Sequence, residues 1–186
     1  MHDTQRGVKM NIVITGRPGV GKSTLFMHVI NKLREKGFMV YGFRTPEVRD
    51  GGVRLGFKIV DLSTGEESWL AKKGVNSPVK VGSYGVLVEE ASALIEKSLK
   101  TAIEANGIIG IDEVGPMELK IPVFKPLLLK ILAKNTVKIL VVHERMSDSE
   151  ILSKLNNGKW FNVTVSNREI LRDKVFEEAY ASLKRV

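Results

Sequence analysis

Residues 10–24 read MNIVITGRPGVGKST, and this stretch decides the fold. Its first six residues form a short, uncharged, mostly apolar run of strand length, as expected of a strand covered on both faces. Gly16, Gly21, Lys22 and Ser23 then satisfy the spacing G-x-x-x-x-G-K-[ST]. Residues 22–36 place Leu25, Phe26, Val29, Ile30 and Leu33 at the repeat of an amphipathic helix, and Gly37 closes it as a C-terminal cap. A strand, a glycine-rich turn and a helix in direct succession make a loop suited to phosphate.

The chemistry of a phosphate chain explains the residue types. Its dense negative oxygens need many donors at close range. Glycines let successive backbone N–H groups turn inward and remove the Cβ atoms that would block approach. The helix that begins near Gly21 and Lys22 adds its unpaired N–H groups and the positive end of its dipole. The candidate phosphate-binding residues are therefore Gly16, Arg17, Pro18, Gly19, Val20, Gly21, Lys22, Ser23 and Thr24. Lys22 is expected to reach the β and γ phosphates and so to serve catalysis. The Ser23 hydroxyl is expected to ligate Mg²⁺, a hard cation that prefers oxygen. Thr24 is expected at the α phosphate and Pro18 to stiffen the loop, while Arg17 faces either solvent or nucleotide.

Outward from this loop, apolar runs alternate with amphipathic stretches. Strands are predicted over 10–15, 38–43, 107–112, 137–142 and 160–165, and helices over 22–36, 89–105, 126–134, 148–156 and 167–184. Such alternation predicts an α/β fold: a mostly parallel five-stranded core sheet with crossover helices on both faces, in three layers. Residues 44–85 break the rhythm with glycines, turns and alternating patterns, and read as a small β-hairpin insertion within a single domain spanning 1–186. Ligands bind such sheets at the carboxyl ends of the strands.

One of these strands ends in two carboxylates, Asp112 and Glu113. Following a phosphate-loop lysine, Asp112 is placed to hold Mg²⁺ through its water shell, and Glu113 to polarise a water for in-line attack on phosphorus. At least one strand, 38–43, lies between the phosphate-loop strand and the Asp-Glu strand. The arrangement resembles the additional-strand, catalytic-glutamate branch of P-loop NTPases. That branch carries a polar residue at the end of the next strand, which here is His143, a candidate to orient the attacking water or sense the γ phosphate. His2 and His28 look incidental.

The wider chain resembles a family of small nucleoside-triphosphatases, found in thermophiles and represented in humans by a cancer-related member. The resemblance rests on residues 42–49 (GFRTPEVR), 52–57 (GVRLGF), Leu70-Ala71, 81–84 (VGSY) and 112–119 (DEVGPMEL), and covers roughly residues 10–180. It implies Mg²⁺-dependent hydrolysis of several nucleoside triphosphates, among them ATP, GTP, CTP and UTP, with low base selectivity. The resemblance and the chemistry together suggest that an arginine among Arg44, Arg49 and Arg54 stabilises charge on the transferring phosphate; Arg54 is the one taken as catalytic. Arg168, after the last strand, is a candidate to stack on the base. The rival reading of that segment is a capping box, Ser166 with Glu169.

Composition sets the outer limits. The 186 residues contain no cysteine, which excludes a disulfide framework, a thiol nucleophile, a zinc-thiolate site and an iron–sulfur cluster. The net charge of +8 raises the question of nucleic acid, but it is spread along the chain and only 6% of residues are aromatic, so nucleic acid is the less favoured partner. No segment is long and apolar enough to span a bilayer, and a cytoplasmic monomer is expected. Two other functions compete with hydrolysis: a kinase for a nucleoside, nucleotide or small molecule, and a nucleotide-controlled RNA- or protein-binding module.

Overall fold

Period-two alternation along the apolar strands sends successive side chains into two separate cores. The computed structural model describes residues 9–184, so His2 lies outside it. Its strands are β1 (Met10–Thr15), β2 (Val40–Arg44), β3 (Glu47–Asp50), β4 (Val53–Asp61), β5 (Glu67–Lys73), β6 (Lys80–Val81), β7 (Tyr84–Val86), β8 (Ile108–Val114), β9 (Val137–Val142) and β10 (Lys159–Asn162). Its helices are α1 (Lys22–Glu35), α2 (Val88–Glu104), α3 (Phe124–Ala133), α4 (Ser149–Leu155) and α5 (Arg168–Leu183), with a 3₁₀ turn at Glu118–Lys120.

The five strands expected from the sequence form the parallel part of one sheet, in the order β10-β1-β9-β8-β2. The strand interposed between β1 and β8 is β9. β2, which precedes β8 in the chain, lies on the far side of it. The 44–85 segment continues the same sheet antiparallel from β2 through β4, β5, β7 and β6, with β3 paired to β4 as a hairpin. It is thus larger than the small hairpin its turn signals suggested. Because β4 pairs with β2 only at Asp61 and Val60, its N-terminal half and β3 run on past the carboxyl end of β2.

Ile12 and Ile14 of β1 face a core shared with Phe26, Ile30 and Leu33 of α1 and Val175 and Ala179 of α5. Val13 faces the opposite core, with Leu94, Ile95 and Leu99 of α2, Leu128 and Ile131 of α3, and Ile151 of α4. This gives the three layers. Each fully buried aliphatic or phenyl side chain removed from water contributes about 1.5–3 kcal/mol, so truncating Phe26 to alanine would cost about 3–5 kcal/mol.

One packing detail positions the site. A Cβ on Gly110 of β8 would stand 3.0 Å from Phe26 Cζ and 3.2 Å from Ile30 Cδ1. The bare glycine lets α1 ride close over β8. That brings the first residues of α1 beside Asp112, two positions further along the strand. Helix ends follow local chemistry. α1 stops at Gly37, which takes φ +89°. Asp148 caps α4 by accepting from the N–H groups of Glu150 and Ile151. The capping box expected at α5 does not form: Asn167 occupies the cap position, and the Ser166 hydroxyl pairs with that of Thr164 at 3.0 Å instead.

Candidate active site

β1 delivers the chain into the glycine loop, and two glycines there have no substitute. Gly16 takes φ +144°, and a Cβ on it would lie 2.4 Å from the Val163 carbonyl oxygen. Gly21 takes φ +105° at the N-cap of α1 and offers no side-chain acceptor, so no side chain caps the first-turn N–H groups. Arg17, Pro18 and Gly19 are exposed along the rim, Val20 is half-buried, and Ser23 and Thr24 are exposed at the start of α1. The Lys22 ammonium donates to the carbonyls of Gly16 and Arg17, at 2.8 Å each, which ties the lysine across the loop.

Against this loop stands the end of β8. Asp112 is only 5% exposed. Burial pushes its carboxyl up to about 6, the Glu113 charge adding to the rise, while a hydrogen bond from Ser23 and the charges of Lys22 and Arg44 oppose it. Burial also raises Glu113, with Lys22 pulling the other way. Asp112 and Glu113 therefore both feel the charge of the loop lysine. Neither forms an ion pair within 4 Å among the described residues, so both carboxyls are desolvated and under-compensated.

His143 follows β9, next to β8 in the sheet. Its Nδ1 accepts from the Arg145 backbone N–H at 3.2 Å. Burial, and then the positive charge of Lys22, lower its pKa; Glu144 opposes them, and Arg145 adds a smaller lowering. The imidazole is therefore neutral near pH 7 and carries its proton on Nε2, as a hydrogen-bond donor on the lysine's side of the sheet.

The three candidate arginines separate clearly. Arg54 and Arg49, in the β3–β4 hairpin, both bind Glu47, at 2.5 and 2.7 Å, and Arg54 also lies over the Phe57 ring. Arg44 ends β2 in parallel register with Asp112, is half-buried, and has no carboxylate within 4 Å among the described residues. The structure thus brings Arg44 to the acidic pair and commits Arg54, the sequence candidate, to a surface ion pair. Arg168 reaches the loop: a Cβ on Gly21 would touch its Cδ at 3.4 Å. His28 stays on α1, apart from these groups.

Two more residues belong to this neighbourhood: Thr45, which carried no role in the sequence, and Glu118, which read either as positioning a basic side chain or as a helix N-terminal carboxylate. Thr45 donates to the Asp112 carbonyl oxygen through its N–H at 2.5 Å and stands 3.0 Å from it through Oγ1. Glu118, 4% exposed, places Oε1 2.9 Å from Thr45 Oγ1. Burial, then the charge of Glu113, push the Glu118 carboxyl up to about 8; hydrogen bonds from its own N–H and from Thr45 oppose the rise, and the Asp112 charge adds a smaller push. Both lie in stretches that carry the family resemblance, 42–49 and 112–119, which marks the segments without joining the two residues to each other.

The oxygen-only donor set of Ser23 and Asp112 suits a hard cation such as Mg²⁺, and a divalent ion would relieve the desolvated Asp112 carboxylate. Among the described residues no cluster of three or more His, Asp or Glu side chains forms a protein cage for a metal. Mg²⁺ needs none, since it keeps waters and takes substrate phosphate oxygens.

Comparison with known proteins shows the family and the fold. The family model described as NTPase matches residues 11–176. The nucleoside-triphosphatase THEP1 of Hyperthermus butylicus is 44% identical over 94% of this chain and 93% of its own length. That of Methanopyrus kandleri is 42% identical over 90% and 93%. The crystal structure of THEP1 from Aquifex aeolicus superposes with a TM-score of 0.80 at 29% identity, covering 91% of this chain and 99% of that one. The solution structure of a human cancer-related nucleoside triphosphatase superposes with a TM-score of 0.79 at 30% identity, covering 93% and 98%. On these grounds the chain belongs to the NTPase family, with the P-loop fold of those neighbours, and is a hydrolase.

Proposed function

We propose that this chain hydrolyses nucleoside triphosphates to the diphosphate and phosphate, with Mg²⁺ and with little regard for the base. The observation that carries the reading is the meeting of Lys22 and Ser23, on one side, with Asp112 and Glu113 on the other, at the carboxyl edge of the parallel sheet.

In this reading the N–H groups of residues 16–24 hold the triphosphate, and Lys22 swings from the loop carbonyls to neutralise the β and γ oxygens. Ser23 and Asp112 would hold Mg²⁺, which when bound offsets charge on the phosphate oxygens. Glu113, its basicity raised by burial, takes a proton from the attacking water as that oxygen bonds to the γ phosphorus and the β–γ bridge breaks. His143 donates through Nε2–H to the γ phosphate or the water. Arg44, rather than Arg54, supplies the guanidinium for charge developing on the phosphoryl group, because it lacks a competing carboxylate.

Weak base selection follows from the loop after β10. Its own side chains consume one another: Asn167 Oδ1 accepts from the Thr164 N–H, Asn167 Nδ2 donates to the Asn162 carbonyl, and Thr164 pairs with Ser166. What faces outward is Val165, 69% exposed, and Arg168 at the loop glycine. An aliphatic group and a guanidinium plane can sandwich any base, but together they read little of its edge. No helix of the described residues is long and apolar enough to cross a membrane. A cytoplasmic monomer belongs to the same reading, supported by the cysteine-free composition for the compartment.

The test is phosphate release from ATP, GTP, CTP and UTP with Mg²⁺ and with EDTA, alone and with a pool of nucleosides and nucleoside monophosphates. Release without an acceptor, similar across the four bases and lost in EDTA and in Lys22→Ala, is the expected result. Turnover that waits for one acceptor, with that acceptor phosphorylated, would make the chain a kinase.

A further inference from the structure

Glu118 is hard to justify as a stabilising group. It is a buried carboxyl with no ion-pair partner within 4 Å among the described residues, and its charged neighbours are two more carboxylates. Burying such a group costs free energy unless something else requires it. Its contacts show what requires it. Oε1 meets Thr45 Oγ1 at 2.9 Å, and Thr45 grips the Asp112 carbonyl oxygen through both its N–H and its hydroxyl, at 2.5 and 3.0 Å. That carbonyl belongs to the peptide unit joining Asp112 to Glu113, the two acidic groups of the site. The other carboxylate oxygen, Oε2, comes close to Glu113 at Gly115: a Cβ there would stand 3.1 Å from Glu118 Oε2 and 2.5 Å from Glu113 Oε1.

We infer that Glu118 is a positioning residue for hydrolysis: through Thr45 it locks the Asp112–Glu113 peptide unit and so sets where the Glu113 carboxylate stands against the γ phosphate. The inference rests on the hydrolytic reading given above. Thr45 has one hydroxyl proton and two oxygen neighbours. That proton serves Glu118 Oε1 at 2.9 Å or the Asp112 carbonyl at 3.0 Å, while the Thr45 N–H holds the carbonyl in either case, so Thr45 couples the Glu118 carboxyl to the peptide in one chain of contacts. The chain spans three elements: the segment after β2, the end of β8 and the 3₁₀ turn. Neither Thr45 nor Glu118 hydrogen-bonds the phosphate loop, so their replacement acts on the geometry of the acidic pair and leaves the triphosphate grip intact.

The experiment measures kcat, KM, affinity for a fluorescent nucleotide analogue and Tm for five variants. Glu118→Gln keeps an oxygen that accepts from the Thr45 hydroxyl and should hold kcat within about threefold. Glu118→Leu should lose kcat by tenfold or more, with nucleotide affinity within twofold and Tm unchanged or raised, because a buried carboxyl becomes apolar. Thr45→Val should lose kcat similarly and Thr45→Ser should retain it. In the double variant, Glu118→Leu with Thr45→Val, the losses should not multiply, since both cut one chain. Wild-type kcat in Glu118→Leu overturns the inference. So does a Glu118→Gln variant as impaired as Glu118→Leu, or a double variant whose losses multiply. If Glu118→Leu does not fold, the Thr45→Val and Thr45→Ser pair decides: equal kcat in the two overturns it. Glu113→Gln runs alongside. If it hydrolyses at the wild-type rate, the hydrolytic reading itself falls; if it is inactive while Glu118→Leu is fully active, only the positioning role falls.

Discussion

Replacing Gly115 with alanine separates catalytic geometry from stability. Gly115 follows β8 at a negative φ or in extended backbone, so alanine meets no conformational penalty there. Its new Cβ would stand 2.5 Å from Glu113 Oε1, whereas ordinary contact begins near 3.4 Å, so that oxygen must retreat by about 0.9 Å. Glu113 Cγ and Glu118 Oε2 would each lie 3.1 Å from the new Cβ and give by a few tenths of an ångström; all three are side-chain atoms, so the backbone bears little of the cost. Tm should shift by no more than the few degrees that correspond to about 1 kcal/mol, and restricting the unfolded chain works in favour of alanine. Catalysis bears the rest. Misplacing a reacting group by about 1 Å costs on the order of 100-fold in rate. Steady-state phosphate release at saturating ATP should fall between about 10- and 100-fold, with affinity for a fluorescent nucleotide analogue unchanged and with calorimetry reporting an intact fold. A Gly115→Ala enzyme with kcat within twofold of wild type would refute both the position assigned to Glu113 and its role as the base.

Two further outcomes follow from the same geometry. Arg44→Ala should lower kcat at least tenfold, whereas Arg54→Ala, which breaks an exposed pair with Glu47, should leave kcat within about threefold and stability within about 1 kcal/mol; the reverse ranking in a phosphate-release assay would return the role to Arg54. For pH, Asp112 at about 6 and Glu118 at about 8 both stand above their ordinary values of 3.8 and 4.5, chiefly through burial. Between pH 5 and 8 the folded chain therefore holds protons that the unfolded chain has released, and stability falls as pH rises. Glu118→Gln should make that fall shallower by up to about 1.4 kcal/mol per pH unit, measured by urea unfolding at several pH values; an unchanged slope would mean that Glu118 is already ionised.

Much of this molecule was legible in its residues because local rules govern those parts. Gly16, Gly21, Lys22 and Ser23 announce their loop by spacing, since backbone approach to phosphate demands those types in that order. Apolar runs gave the five parallel strands, and Asp112 with Glu113 stood out as charges ending one of them. What stayed hidden depends on the third dimension. Nothing in the chain order places β9 between β1 and β8. Arg54 and Arg44 look alike in sequence, and only Glu47, folded back across a hairpin, separates them. Thr45 and Glu118 lie 73 residues apart, and no periodicity connects them. The rival reading of a cap at Ser166 fails because α5 starts one residue later, with Asn167 at the cap position and the Ser166 hydroxyl paired with Thr164, a shift that propensity alone does not rank.

The sheet order also dictates a sequence of events during synthesis. β1 is made first, yet both its partners arrive late: Met10 aligns with Val137 of β9, and Ile12 with Lys159 of β10. The carbonyl against which Gly16 packs belongs to Val163. The residues that hold phosphate therefore leave the ribosome well before the scaffold that shapes them, which is completed only with β9 and β10. Until then β1 has no edge to pair with, and α1 has no β8 to ride on for most of that time. Nucleotide binding thus reports completion of the whole fold, and a nascent or truncated chain that ends before β10 would carry the motif without the site.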